Sequence, residues 1–452
     1  MNQHQSLSLN KSLALVFALF FCWVVPVSAE AQAQKWAASW AASAHGPYPS
    51  GNASAQPVLQ YAIESPEAGA NDQSFRLILR PDLWGKSGRL RFSNAFGTKP
   101  VTFDDVFVGL QASAGNIATG TNMRVLFAGK RSITIEPGAV VYSDAVNLNF
   151  VKTAADSLLA GRKLAVSFHV VGSSGPMTWH AKALQTSYLT APRAGSHSSE
   201  ESDASFPFTT TSWFFLDAFE VMASADTAVV VCFGDSITDG TLSTLNGDDR
   251  WPDVLSRRLH AAYGNRVSVV NAGIGGNQIT GPARYSPTAP FAGGPSALDR
   301  LERDVLSLSG VTHIVWLEGI NDLSRGATAE TVIAGMQQLV KQVRASGKVK
   351  ISKIIGATIT SGVGYNGPAG TAEVNERRLS INQFIRTGGL FDGVADFDAA
   401  TVDPQTGALR AAFQPNSTIG GAGDKLHPNR AGYQAMGNAI DLKLLAPATN
   451  RK

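Results

Sequence analysis

The sequence predicts an all-β, sandwich-like domain followed by an α/β domain, a three-layer doubly wound parallel five-stranded sheet of flavodoxin-like type. Three observations carry this. Up to about residue 223, apolar and polar residues alternate with period two in short runs punctuated by Gly, Pro, Asn and Asp, the signature of strands with one buried face. From about residue 226, unbroken apolar runs such as Ala228 to Phe233 alternate with segments of helical spacing. A strand buried on both faces reads as a continuous apolar run, and strand–helix alternation implies parallel strands covered by helices on both sides. Finally, polar and Gly-rich clusters directly follow those apolar runs, at the carboxyl ends of strands, where open α/β sheets bind ligands.

Residues 1–33 read as a secretory signal peptide. Lys11 precedes an apolar run from Leu13 to Val25, shorter than the roughly 20 residues a membrane span needs. Small residues then place cleavage near Ala29 or Ala33. The expected product is secreted or periplasmic, without stable membrane insertion. Cleavage removes Cys22 and leaves Cys232 alone, so no internal disulfide is expected. The β-rich accessory domain spans 36–223, with strands over 74–80, 88–93, 101–110, 132–135, 139–143 and 163–171 and a surface loop over 194–205. The α/β domain spans 226–446. Its strands are expected over 228–233, 267–270, 313–317, 353–360 and 394–397, and its helices over 251–263, 297–308, 329–346, 372–387 and 429–445. In the first helix Trp251, Val254, Leu255 and Leu259 share one side, with Arg257 and Arg258 opposite. Apolar residues make up 44% and charged residues 16%, which excludes a disordered chain. A net charge of +3, spread evenly, excludes nucleic acid as an expected partner. Nothing in the pattern speaks to oligomeric state.

The first α/β strand runs into Gly234-Asp235-Ser236, which places a serine hydroxyl at the sheet edge. A serine is a poor nucleophile until a base takes its proton. The second strand runs into Asn271 and the glycine cluster up to Gly276, where backbone N–H groups can approach a ligand closely. Asn321 and Asp322 follow the third strand. Asp424 precedes His427 by three residues, a spacing that lets the carboxylate hold one ring nitrogen while the other faces the serine. Together these supply nucleophile, base, base-orienter and oxyanion donors, the roles acyl transfer needs. His4 lies in the signal, His45, His169, His180 and His197 lie in the strand-rich half, His260 near a helix end and His313 at the start of a strand, which supports His427 as the candidate base.

The blocks Gly234-Asp235-Ser236, Gly276, Gly319-Ile320-Asn321-Asp322 and Asp424-Lys425-Leu426-His427 resemble, in order, those of the SGNH branch of the GDSL-type ester hydrolases. The resemblance covers about residues 226–446. The first half, with Ser93 to Thr98, resembles more weakly the accessory region that precedes some bacterial members. The resemblance implies Ser236 as nucleophile, His427 as general base and then acid, and Asp424 as its orienter. It implies an oxyanion hole from the Ser236 and Gly276 N–H groups and the Asn321 side chain, with no metal or cofactor. Gly276, five residues after Asn271, fits the family pattern. Asp235 and Asp322 are expected to brace loops, Asp239, Asp248 and Asp249 to be solvated turn residues, and Cys232, Trp251 and Trp316 to be core. Tyr285, Phe291 and Tyr365, on long Pro/Gly-rich loops, are candidate substrate-lining residues. The expected substrate is a small acyl ester or acylated glycan, with acetyl the simplest acyl group. A lipase or acylhydrolase on longer chains, or an O-acyltransferase using the same site, are the alternatives.

Overall fold

Period-two alternation in the first half builds two large antiparallel sheets, beside a small third one of Trp213–Phe214, Thr178–His180 and Gly46–Pro47. In the computed structural model, which describes residues 33–347 and 351–448 together with Met1, one sheet joins Gln34–Ala41, Leu216–Ser224, Ser87–Ser93 and Val146–Asn147. The other runs through Phe208–Thr210, Ser187–Leu189, Asn71–Leu79, Leu164–Ser173 and Val101–Ser113. Phe92 of the first sheet meets Phe103 and Phe168 of the second, with ring centroids 5.1 and 5.2 Å apart. Such pairs add about 0.5–1.5 kcal/mol beyond the area they bury. Residues 2–32, nearly all of the expected signal peptide, lie outside the described residues. Among the described residues, no helix is long and apolar enough to cross a membrane.

The second half forms a parallel sheet from β1 (Ala228–Gly234), β2 (Val267–Gly273), β3 (Val311–Leu317), β4 (Lys353–Ala357) and β5 (Gly393–Ala395). Their order is β2-β1-β3-β4-β5, so the chain changes direction across the sheet between β1 and β3, where such sheets open a crevice. Alternation along β1 divides the core. Val230 and Cys232 pack in one cluster with Trp251 and Leu255 of α2 (Trp251–Tyr263) and Met436 of α8 (Arg430–Asn438). Val229, Val231 and Phe233 belong to the opposite cluster, with Leu339 of α5 (Ala329–Ala345) and Ile381 of α6 (Ala372–Thr387). That second cluster continues without a break into the aromatic core of the β-rich half, and Gln34–Lys452 is one compact unit. Polar bonds cross the seam. Ser268 Oγ donates to the Ala38 carbonyl at 2.7 Å, and Asp82 accepts from the Val269 N–H at 2.6 Å.

Several boundaries differ from expectation for local reasons. The helix expected over 297–308 is α3 (Ala297–Leu301) followed by a widened π turn, Glu302–Leu306. Within it Arg300 and Arg303 both bond Asp304. β4 stops at Ala357, because the Ile359 N–H turns aside to the Asn382 side chain. β5 stops at Ala395, because Asp396 caps α7 (Phe397–Thr401). The last helix ends at Asn438, and a 3-10 turn capped by Asp441 covers Leu442–Leu445. Two short helices, α1 (Ser236–Asp239) and α4 (Ile320–Ser324), sit where the sequence suggests only loops.

Candidate active site

β1 ends at Gly234, where a Cβ would lie 2.1 Å from the Leu317 carbonyl oxygen, so only glycine lets the chain turn this close to β3. Asp235 then caps α1 by accepting the Ile237 N–H at 2.9 Å, which puts Ser236 at the first helical position. Its Oγ lies 2.8 Å from His427 Nε2, and His427 Nδ1 lies 2.5 Å from Asp424 Oδ2. Lys425 adopts a left-handed conformation (φ 67°) between the two. Asp424 Oδ1 accepts the N–H groups of Leu426 and His427 at 3.0 and 2.9 Å. Partial burial alone would raise the Asp424 carboxyl. The hydrogen bond and charge of His427, with the two N–H groups, outweigh burial and hold it at about 2. An ionised Asp424 keeps the proton on Nδ1 and leaves Nε2 free to accept from Ser236.

The loop after β2 is tied to the same corner. Asn271 Nδ2 donates to the Thr238 carbonyl in α1 at 2.7 Å, and Asn271 Oδ1 accepts the Gly273 N–H at 2.9 Å. Gly276 sits at φ 81°, the left-handed region that favours glycine. Asn321 Nδ2 donates to the Asn277 carbonyl at 2.9 Å, so Asn321, in α4, stands beside the loop that carries Gly276. Asp322 braces them, accepting the N–H groups of Ile279 and Thr280 at 2.9 and 3.1 Å. Asp235 and Asp322 thus hold loops, and Cys232, Trp251 and Trp316 are core. Burial pushes the Cys232 thiol well up.

Of the three substrate-lining candidates, Phe291 carries the Arg325 guanidinium 4.5 Å from its ring centroid and stands beside Gly293, which packs on Gly276. Tyr365 lies on the 361–370 loop, where Gly362 and Gly364 border Leu426 and Lys425. Tyr285 instead packs across the seam, edge-on to Phe96 at 5.3 Å with its hydroxyl against Gly46. The seam also encloses a cavity of about 60 Å³ lined by Arg80, Asp82, Arg250 and Asp253. It reaches neither Ser236 nor His427.

Sequence reasoning missed the groups underneath. Arg300, almost wholly buried, donates to Asn277 Oδ1 at 2.7 Å and to the Ala272 and Gly234 carbonyls at 2.8 Å each. One side chain therefore ties the ends of β1 and β2 to the glycine loop. Behind Ser236, burial raises Glu318 to about 8 and Asp235 to about 7. Asp239 corrects the solvated-turn expectation: it is 1% exposed. His180 Nε2 lies 3.2 Å and His45 Nε2 3.8 Å from its carboxylate, and the Gly275 N–H donates to it at 2.9 Å. Burial alone would raise Asp239, but His180, Lys182 and His45 hold it at about 2. Asp248 and Asp249 are half-buried and partnered rather than simply solvated: Asp248 lies 3.1 Å from Lys163 Nζ, and Asp249 accepts the Thr244 N–H at 2.9 Å. Setting aside histidines of the strand-rich half hid His45 and His180. No local spacing announces them, because they reach the site only when the two halves pack. Among the described residues, no group of three or more His, Cys, Asp or Glu is gathered to hold a metal ion.

Residues 232–435 match the model of the GDSL-like Lipase/Acylhydrolase family. No curated protein matches the chain. Among solved structures, the chain is similar to the lipase/acylhydrolase from Enterococcus faecalis, at 25% identity over 49% of this chain and 100% of that one, TM-score 0.36. It is also similar to the M. smegmatis aryl esterase, at 18% identity over 49% and 100%, TM-score 0.36. A carbohydrate acetylesterase family member from Sinorhizobium meliloti matches at 19% identity over 48% and 99%, TM-score 0.35.

Proposed function

We propose, from the premise that residues 232–435 are a GDSL-like lipase/acylhydrolase domain and the chain therefore an ester hydrolase, that it cleaves small acyl esters through Ser236, His427 and Asp424. The observation that carries this is the relay of 2.8 Å from Ser236 Oγ to His427 Nε2 and 2.5 Å from His427 Nδ1 to Asp424. His427 Nε2 takes the hydroxyl proton as Oγ attacks the ester carbonyl carbon. The carbonyl oxygen gains the negative charge and is met by the Ser236 and Gly276 N–H groups and Asn321 Nδ2. As the tetrahedral species collapses, His427 gives its proton to the departing alcohol and an acyl-serine remains. Water, deprotonated by His427, then releases the acid and restores Ser236. Donors already in place at the developing charge are the largest contributor to such rates.

A short acyl group is the simplest substrate for this chemistry, and the 281–294 loop borders the proposed oxyanion loop, where a Cβ at Gly293 would lie 2.2 Å from the Gly276 carbonyl oxygen. An expected signal peptide and a β-rich companion suit an exported substrate, for which we infer an acetylated carbohydrate or similar ester. The test is hydrolysis of p-nitrophenyl acetate and its longer-chain homologues, with acetate release from acetylated glycans alongside. Wild type should act on the acetate and lose rate with chain length, and Ser236→Ala should be inactive. Equal rates for the two proteins would refute the assignment.

A further inference from the structure

The peptide unit between Gly275 and Gly276 contains the Gly275 carbonyl and the Gly276 N–H, the proposed oxyanion donor. Among the described residues that N–H makes no backbone hydrogen bond, so it is available to a substrate oxygen. The rest of the unit is held from the β-rich half. Asn52 Nδ2 donates to the Gly275 carbonyl at 2.9 Å. In a trans peptide the N–H points opposite to the C=O, so gripping the carbonyl aims the donor. On the preceding peptide, the Gly275 N–H is held by Asp239 at 2.9 Å. Asp239 is in turn surrounded by His180, His45 and Lys182, and Lys182 Nζ donates to Thr241 Oγ1 at 2.6 Å. All four of these side chains are almost wholly buried. Burying charges to join two surfaces is a poor source of stability, since apolar contacts do so without the desolvation penalty. What the charged cluster and Asn52 add is the direction of one peptide.

We propose that the β-rich half is a working part of the esterase site. Asn52 directly, and His180 and Lys182 through Asp239, are positioning residues that fix the Gly275–Gly276 peptide so that its N–H meets the oxyanion. The proposal rests on the ester-hydrolase reading above. It assigns the first half a task in the chemistry, and it implies that its sequence around residues 45–52 and 180–182 is under the same constraint as the serine loop.

The full chain tests this with p-nitrophenyl acetate. Asn52 is exposed, so Asn52→Ala should fold with the wild-type melting temperature. Its kcat should fall roughly tenfold, a partial loss of one donor's worth of about 10²–10³-fold, with KM within about twofold. Asn52→Asp, which replaces the donor with a carboxylate facing the Gly275 carbonyl, should lower kcat further at the same KM. Lys182→Met preserves volume and serves as the buried arm; its kcat should also fall more than its KM rises. Unchanged kcat in all three variants overturns the proposal. A raised KM with unchanged kcat in Asn52→Ala also overturns it, because Asn52 would then bind substrate rather than aim a donor. If Lys182→Met fails to fold, the two Asn52 variants decide. Wild type active and Ser236→Ala inactive, with flat Asn52 variants, sinks this inference alone. Wild type showing no turnover that depends on Ser236 sinks the hydrolase reading and this inference with it.

Discussion

Asp424 and Asn321 show how much a single side chain carries at this site. Asp424 is held near 2 by His427 and by two backbone N–H groups, so it is an ionised acceptor that fixes which ring nitrogen bears the proton. Asp424→Asn keeps the shape but offers the wrong tautomer, and kcat should fall about 10⁴-fold, with a lower melting temperature at neutral pH because the ionised carboxylate is lost. Asn321→Ala should lower kcat about 10²–10³-fold while KM moves little, measured on the same short aryl ester. Both proposed roles come from sequence motifs, Asp424 three positions before His427 and Asn321 four positions after the third strand ends. The role of Asp239 does not. Three residues after Ser236, it looks like one more polar turn residue, and its burial depends on imidazoles that arrive from the other half of the chain.

At the scale of elements, α2, α5 and α6 follow their hydrophobic periods and begin and end within a residue of expectation, whereas the helices expected over 297–308 and 429–445 break off early. The short helices α1 and α4 escaped because a single turn leaves no period to detect. They are specified by caps and bracing, as when Asp235 bonds the Ile237 N–H and Asp322 holds the loop after Gly276. Arg300 is the tie between these elements. Arg300→Ala would leave Asp304 short of a partner and free three acceptors in the core, and the domain should lose about 3–5 kcal/mol, readable in urea unfolding. Gly273→Ala should also disturb this corner, because a Cβ there would lie 2.3 Å from the Asp239 backbone nitrogen. Its effect should appear in kcat as well as in stability, since β2 and α1 would be pushed apart.

The whole molecule inherits a pH dependence from its buried carboxylates. Burial raises Glu318 to about 8 and Asp235 to about 7, so the fold favours their protonated forms. Their contribution is full at low pH and is lost as pH rises towards those values. Asp239 and Asp424 have the opposite sign. Both are held at about 2, and the stability they confer is present at neutral pH and lost as pH falls towards 2. Glu318→Gln should therefore raise the melting temperature more at about pH 9 than at about pH 5. An equal shift at both would show that Glu318 is already ionised in the fold.

Local pattern was enough to predict the change of grammar near residue 225 and the parallel strands, and motif spacing together with the family resemblance singled out Ser236, His427 and Asp424, which meet at the sheet edge. Such features repeat over a few residues or sit directly after a strand, so the pattern of neighbours along the chain encodes them. Packing supplied the rest. Asn52 grips a carbonyl 223 positions away, Lys182 bonds Thr241 across 59 positions, and one hydrophobic cluster runs from the aromatic rings of the β-rich half to the helices of the sheet. Contacts of that separation leave no period or spacing in the sequence. They exist because two apolar faces must be buried together, and burying them sets imidazole, ammonium and amide groups of one half against the glycine loop of the other.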